Sequence, residues 1–330
     1  MNTKISTLNE FQGEVQIISI IVPCLNEQEN IMQCYEEIRK TFTIIPRATY
    51  EIIFVDDGSS DGTVNLIKEL ISQDKKCSLI VNLRTYGVYR SSFNALRHAT
   101  GDAVIPMLPV DLQDPPSLIP EFVRLWREGH SVVAGVRYER EEIWFMKFIR
   151  RCYYRLSTRL ADFDLPRYVG EFQLIDKSIS EQLTLIDDYY PYTRGLIASV
   201  TNSRVLVPYT WKKRERGQSK MNTWKLLDQG INGIVSTSGA PLRLVSLACG
   251  ITSLMGVLFG LLQIAAHFTF SRSITEPGVS TVIVLTSLFA AFNAVAIGVM
   301  SEYIAAIHSQ IRGRWRVIEK EKVNLERLND

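Results

Sequence analysis

The chain has little cysteine, almost no net charge, no internal repeat and no low-complexity segment. Its five cysteines (Cys24, Cys34, Cys77, Cys152 and Cys249) are odd in number, scattered and without metal-ligand spacing. That excludes a disulfide framework and fits free thiols in a reducing compartment. A formal net charge of +2 over 330 residues gives no global field for capturing nucleic acid, and no recognised nucleic-acid-binding module is present. Met1–Val15 is polar and mixed in charge. Without an apolar core it does not read as a signal peptide. A chain of this length holds one large domain or two ordinary ones.

What is present changes in the last third. Leu244–Ala266 and Val279–Ser301 contain no charged residue. Each is long enough, as a helix, to cross ~30 Å of hydrocarbon. The link His267–Gly278 is short, so a two-helix transmembrane hairpin is expected. Arg312, Arg314, Arg316, Lys320 and Lys322 follow the second run, and Lys212, Lys213, Arg214, Arg216 and Arg243 precede the first. The link has only Arg272, offset by Glu276. The positive-inside rule then puts the hairpin tip outside and both chain ends in the cytoplasm.

The earlier part reads as α/β. Apolar runs at Ile17–Pro23, Glu51–Val55, Ser78–Leu83, Ala103–Leu108 and Ser131–Val136 are expected strands, each buried on both faces. Helices are expected between them, one with Ile31, Tyr35 and Ile38 on a face, another with Val64, Ile67, Leu70 and Ile71. A third runs from Gly87 through Ala99, and a fourth covers Leu118–Glu128. The alternation predicts a mostly parallel sheet with helices on both faces. Gly170–Ile175 is expected as an edge strand, Lys177–Leu185 as a short helix and Val205–Tyr209 as a further strand.

In such sheets ligands bind beyond the C-terminal strand ends, and here those ends are polar. Pro23 leads to Asn26-Glu27, and Val55 to Asp56-Asp57-Gly58-Ser59 and Asp61-Gly62-Thr63. The fourth run leads to Pro109-Val110-Asp111-Leu112-Gln113-Asp114-Pro115-Pro116. Read alone, this last stretch is a capped strand-to-helix turn. Two acids and an amide so close together can also hold a hard divalent cation, and through it a diphosphate. Arg137–Arg155 interleaves Arg137, Arg140, Lys147, Arg150, Arg151 and Arg155 with Trp144, Phe145, Phe148, Tyr153 and Tyr154. That composition suits an amphipathic helix at a membrane surface or a phosphate. Arg214–Lys220 is a basic, glycine-containing loop, and Asn222–Ser238 presents Trp224, Leu227, Ile231 and Ile234 on one face. Carboxylates beside arginines suit a metal-bound diphosphate and a second phosphate.

Taken in order, these motifs resemble the polyprenyl-phosphate glycosyltransferases of glycosyltransferase family 2, relatives of dolichol-phosphate mannose synthase. Within that family the chain is most similar to the bacterial subgroup with two C-terminal membrane helices, which includes bactoprenol glucosyltransferases. Ile297-Gly298-Val299-Met300-Ser301-Glu302-Tyr303-Ile304 matches that subgroup's wording, and the resemblance runs from about Ile18 to about Val317.

The resemblance implies an α/β domain of the nucleotide-diphospho-sugar transferase (GT-A) type over residues 17–221, after a polar tail at 1–16. An interfacial amphipathic helix at 222–241, the hairpin at 242–305 and a basic cytoplasmic tail at 306–330 complete the order. It implies inverting transfer from a nucleotide-diphospho-sugar, UDP-glucose first, to an undecaprenyl-type polyprenyl phosphate at the bacterial plasma membrane. Pro23, Asn26, Glu27, Asp56, Asp57, Val110 and Asp111 would bind the nucleotide-sugar. Asp111 and Gln113 would hold Mg²⁺ or Mn²⁺. Arg137, Arg151 (with Arg150 as the alternative), Arg214, Ser219 and Lys220 would meet the lipid phosphate. Asp111, Asp114 and Arg137 would form the catalytic set, with Asp114 as general base or as electrostatic partner. A homotetramer is implied, with Val317–Asp330 reaching a neighbour.

Three positions depart from the family pattern. Pro109-Val110 replaces Asp-Ala ahead of Asp111; Arg84-Thr85-Tyr86-Gly87-Val88 replaces Arg-Asn-Phe-Gly-Lys; Glu171-Phe172-Gln173-Leu174 replaces Asp-Phe-Arg-Leu. A processive polysaccharide synthase would have more spans and a Gln-x-x-Arg-Trp element, and the sequence has neither. A non-catalytic membrane protein that binds nucleotide-sugar or lipid phosphate is the rival reading, and Pro109 is the residue that favours it.

Overall fold

The computed structural model describes residues 14–139, 144–164, 166, 168–186, 188–189, 191–210, 230, 233–235, 237–269, 278–311 and 317–325. Strands β1 (Gln16–Cys24), β2 (Ala48–Asp56), β3 (Cys77–Asn82) and β4 (Ala103–Ile105) pair in parallel in the order β4-β1-β2-β3. Helices α1 (Gln28–Phe42), α2 (Thr63–Gln73) and α3 (Val88–Ala95) connect them. β1 and β2 run in register from Gln16↔Ala48 to Cys24↔Asp56, so their polar ends finish side by side. Successive residues point to opposite faces of a strand. Ile20 and Val22 join the core under α1 and α2, while Ile21 joins the one under α3. Burial on both faces explains why β1 is mostly apolar, and its buried Ser19 is satisfied by donating to Glu51.

The sheet continues with α4 (Ile119–Arg127), β5 (Val132–Glu139), α5 (Trp144–Leu160), β6 (Val169–Asp176), α6 (Lys177–Thr184), α7 (Thr193–Val200) and β7 (Arg204–Thr210). β6 is not the edge strand expected from its sequence. It lies between β4 and β5, antiparallel to both. Its polar residues Glu171 and Gln173 are both buried, as an interior strand requires. β4 is shorter than expected, because Pro106 follows it and has no N–H for the ladder. Leu108 still donates its amide to Ile21 at 2.9 Å, which keeps the following loop against β1.

Helices α8 (Ala240–Thr269) and α9 (Gly278–Ile311) leave the sheet. They turn large apolar side chains outward, Leu254, Leu258, Leu288 and Val295 among them. Among the described residues, Leu288–His308 is long and apolar enough to cross a membrane, and Ala240–Gly256 is a shorter apolar helical stretch. A clasp ties these helices to the end of α5. Tyr303 donates to the Ser238 carbonyl at 2.7 Å, Ser238 Oγ donates to the Leu160 carbonyl, and Asp162 N donates to the Thr237 carbonyl at 3.0 Å.

The segment read as a basic tail contains a strand, β8 (Glu319–Val323). It pairs antiparallel with β3 of its own chain, where the sequence reading had it reaching a neighbour. Lys68–Glu321 and His98–Glu319 ion pairs, at 2.6 and 2.7 Å, anchor it.

Candidate functional site

The C-terminal ends of β1 and β2, with the loop after β4, enclose a cleft of about 170 Å³. Pro23, Glu27, Asp57, Val110 and Asp111 line it, so the fold brings together five residues expected to bind nucleotide-sugar. Cys24, Leu25, Val88 and Pro109 complete the wall. Two of the three departures from the family pattern, Val88 and Pro109, therefore face one cleft.

Asn26 and Asp56 are not in that wall. Asn26 takes a left-handed backbone (φ 53°), which asparagine tolerates better than most residues. Its amide donates to Ser59 Oγ and its Oδ1 accepts from Ser60 N, each at 2.8 Å, stitching the first loop to the second. Asp56 Oδ2 accepts from the amides of Gly58 and Ser59 at 3.1 and 3.0 Å. Asp56 Oδ1 is buried with no hydrogen-bond partner in the protein, so it is a polar atom left over for a ligand.

Asp57 is engaged differently. Oδ1 accepts from Asn82 Nδ2 (2.9 Å), Tyr86 N (2.9 Å) and Ser91 Oγ (2.7 Å), and Oδ2 accepts from Gly87 N (2.8 Å). A carboxylate has about four lone-pair sites, and these contacts occupy as many. Asp57 thus holds the 82–91 loop against the cleft. Gly58 (φ +87°) lies against the same loop, with Thr85 N only 3.3 Å from where a Cβ would stand.

Asp111 follows in the cleft wall and Leu112 turns the chain with a left-handed φ of 55°. Burial and then the Asp111 charge push the Cys34 thiol up to about 12, which leaves it inert. Among the described residues no group of three or more His, Cys, Asp or Glu side chains is arranged to hold a metal. Of the two residues expected to hold a metal, Asp111 lines the cleft, while Gln113 is not part of its wall and donates its backbone N–H to Asp111 Oδ1 at 3.3 Å.

Three residues after Asp111, Asp114 enters a buried ion pair. Asp114 has no exposed surface. Arg137, at the far part of β5, donates to it from Nη2 at 2.8 Å and from Nε at 3.3 Å. Burial opposes the Arg137 charge, but the adjacent Asp114 outweighs it and holds the guanidinium ionised. Tyr209, on β7, donates its hydroxyl to Asp114 Oδ1. Burial and then Asp114 push the Tyr209 ionisation up.

A second polar cluster adjoins the pair, and the sequence reading missed it. Arg194 on α7 donates to the Val169 carbonyl at 3.1 Å and to Tyr192 Oη at 2.7 Å, and its Nε lies 3.9 Å from Glu171 Oε1. Burial raises the Glu171 carboxyl, with Arg194 and then Arg137 opposing it. Burial and Glu171 push Tyr89 up to about 12. The family pattern has a cation at position 173; here Gln173 points to the Gly170 carbonyl (3.0 Å) and Arg194 supplies a cation beside the same strand. Arg90 stacks on Tyr189 at 4.0 Å and Arg84 on Tyr86 at 4.3 Å. No local motif signals Tyr209 or Arg194; both act over long sequence distances.

Of the residues expected to meet a lipid phosphate, Arg137 is in the buried pair and Arg151 is exposed on α5. Arg214, Ser219 and Lys220 lie outside the described residues, as do residues 222–229 of the expected interfacial helix and the side chain of Arg150.

The sequence pattern described as Glycosyl transferase family 2 matches residues 19–184. A Bacillus subtilis (strain 168) protein, "Uncharacterized glycosyltransferase YkcC", is 30% identical over 309 residues, 93% of this chain and 94% of that protein. The SfII prophage-derived bactoprenol glucosyl transferase of Shigella flexneri is 30% identical over 304 residues, 92% of this chain and 97% of that protein. A solved structure, the mannosyltransferase PcManGT from Pyrobaculum calidifontis in complex with GDP-Man and Mn²⁺, is 17% identical with a TM-score of 0.47, over 94% of both chains.

Proposed function

The chain belongs to glycosyl transferase family 2, and from that premise we propose that it moves a sugar from a nucleotide-diphospho-sugar to polyprenyl phosphate at a membrane face. The observation that carries this reading is one juxtaposition. The loop that supplies Asp111 to the acidic cleft runs on within three residues to Asp114 of the buried Asp114–Arg137 pair, on a chain that continues into long apolar helices. Likeness to bactoprenol glucosyl transferases over nearly the whole chain supports it.

In this reading the sugar C1–O bond to the diphosphate breaks and a C1–O bond to the acceptor phosphate forms on the opposite face. The bonding pair leaves with the nucleoside diphosphate. The acceptor oxygen is already ionised at neutral pH, so little base assistance is needed. That agrees with Asp114, whose two oxygens are committed to Arg137 and Tyr209. We assign it as the anchor of Arg137 and not as a general base. Arg137 would pair with the acceptor phosphate, where the guanidinium fork matches two oxygens. Arg151, Arg214, Ser219 and Lys220 would add to that site. Asp56 and Asp57 would hold the base and ribose side, Asp57 through the loop it pins. Asp111 and Gln113 would hold a Mg²⁺ or Mn²⁺ ion, which when bound neutralises charge on the leaving diphosphate. The rest of the rate enhancement is alignment of acceptor with donor carbon.

UDP-glucose is the first donor, and α8 with α9 the two-span hairpin, placing the α/β domain on the cytoplasmic face of a bacterial plasma membrane as part of a homotetramer. A non-catalytic binder of nucleotide-sugar is favoured by one observation, Pro109 in the cleft wall. Membranes holding the full chain, given polyprenyl phosphate, Mg²⁺ and a panel of radiolabelled UDP- and GDP-sugars, separate the two. Label entering the lipid fraction supports transfer; donor binding with no lipid-linked label from any sugar sinks it.

A further inference from the structure

Tyr209 stands on β7, in the last stretch of strand before residues 211–229. Its side chain is turned inward and only 7% of the residue is exposed. The hydroxyl donates to Asp114 Oδ1 and accepts from Arg137 Nε–H at 3.0 Å. A phenol can do both at once, and no apolar ring can do either. The ring is clamped edge-on against Phe172, with centroids 6.2 Å apart, and Phe172 packs on Phe122 at 4.9 Å.

Two strand glycines make room for this arrangement. A Cβ on Gly135 would stand 2.8 Å from Tyr209 Cε1, and one on Gly170 would stand 3.1 Å from the Arg137 guanidinium carbon. Glycine inside a strand is unfavourable unless another group must approach closely. Here the approaching groups are a phenol ring on one strand and a guanidinium on the next. Asp114, Arg137 and Tyr209 therefore form a closed triangle of hydrogen bonds, contributed by three separate parts of the chain.

We propose that Tyr209 is a positioning residue for the acceptor side of the reaction: it fixes the plane of the Arg137 guanidinium, and so sets the hold on the acceptor phosphate while leaving donor binding alone. The inference rests on the reading that Arg137 meets that phosphate. Bidentate recognition depends on the orientation of the fork, and the Tyr209 hydroxyl bridges both partners, accepting from Arg137 Nε while donating to the Asp114 oxygen that faces the same nitrogen. The donor cleft is lined by neither Tyr209 nor Arg137.

The test uses the full chain in membranes, with steady-state kinetics varied in each substrate separately. Tyr209→Phe keeps the ring and removes the hydroxyl. It is expected to raise KM for polyprenyl phosphate roughly tenfold or more, the scale on which small misplacements act, with donor KM and UDP affinity within about twofold of wild type. Gly135→Ala pushes the ring without removing a polar group, and is expected to give the same one-sided pattern. Equal change in donor and acceptor parameters, or no change in acceptor KM in either variant, overturns the role of Tyr209. If wild type forms no lipid-linked product, the acceptor reading itself fails, which is a distinct outcome.

Discussion

Asp114, with no exposed surface, accepts from Arg137 at 2.8 and 3.3 Å, and the Arg137 side chain that completes the pair is one-fifth exposed. A fully buried carboxylate thus holds a partly exposed cation in place. Removing one member of a buried pair leaves an uncompensated charge and typically costs ~3–5 kcal/mol. Asp114→Ala is expected to lower stability by about that amount and to abolish transfer. Arg137→Ala should lose transfer as well. Denaturant unfolding of the detergent-solubilised protein, beside the lipid-transfer assay, checks both.

Asp111→Ala tests a different part of the site. Asp111 lines the cleft and is only partly buried, so its loss should leave the fold intact. Transfer is expected to fall by roughly 10²–10³, the range for losing one group that stabilises developing charge. Chelation with EDTA should reproduce the loss in wild type, and excess Mg²⁺ or Mn²⁺ should reverse it. Unchanged activity in Asp111→Ala would remove Asp111 from the metal site.

Gly58 carries a backbone constraint. Its φ of +87° is a backbone that a side chain strains, and the 3.3 Å approach of Thr85 N would require the neighbouring loop to give. Gly58→Ala is expected to destabilise by about 1–2 kcal/mol from the left-handed backbone alone. It should also weaken donor binding, because the 82–91 loop that Asp57 pins would shift. Calorimetry with UDP and a thermal melt give the two readouts.

The β8 anchor is expected to depend on acid. Burial disfavours the Glu319 charge, but hydrogen bonds and attraction from His98, with Asn94 and Lys322, outweigh it and lower the carboxyl from 4.5 to about 2. A depressed carboxylate pKa contributes stability that is full above the unfolded value and lost as pH falls through the folded one. Hydrogen-exchange protection at β8, measured relative to the intrinsic rate at each pH, should therefore hold above pH 4.5 and fall between there and about 2. Glu319→Gln should remove that pH dependence.

Much of the sheet was legible because its buried parallel strands are mostly apolar, and their polar C-terminal ends stand out. Pro23, Glu27, Asp57, Val110 and Asp111 meet at one cleft for that reason. β6 was misplaced because Glu171 and Gln173 look solvent-facing until Arg194, some twenty residues away, is folded beside them. β8 reads Glu-Lys-Glu-Lys-Val and has no apolar signature; its place depends on partners at Lys68 and His98. Tyr209 meets Asp114 across a separation of 95 residues, which no local pattern encodes. Asp57 lines the cleft and also holds the 82–91 loop, a second task that its place in the sequence does not show.

The most direct measurement is mass spectrometry of lipids extracted from membranes holding the full chain, after incubation with polyprenyl phosphate, UDP-glucose and Mg²⁺. The account predicts a polyprenyl-phosphate-hexose species, dependent on added lipid phosphate and absent with Asp111→Ala. Donor consumed to free sugar with no lipid-linked hexose, or the same product yield from Asp111→Ala, would contradict it.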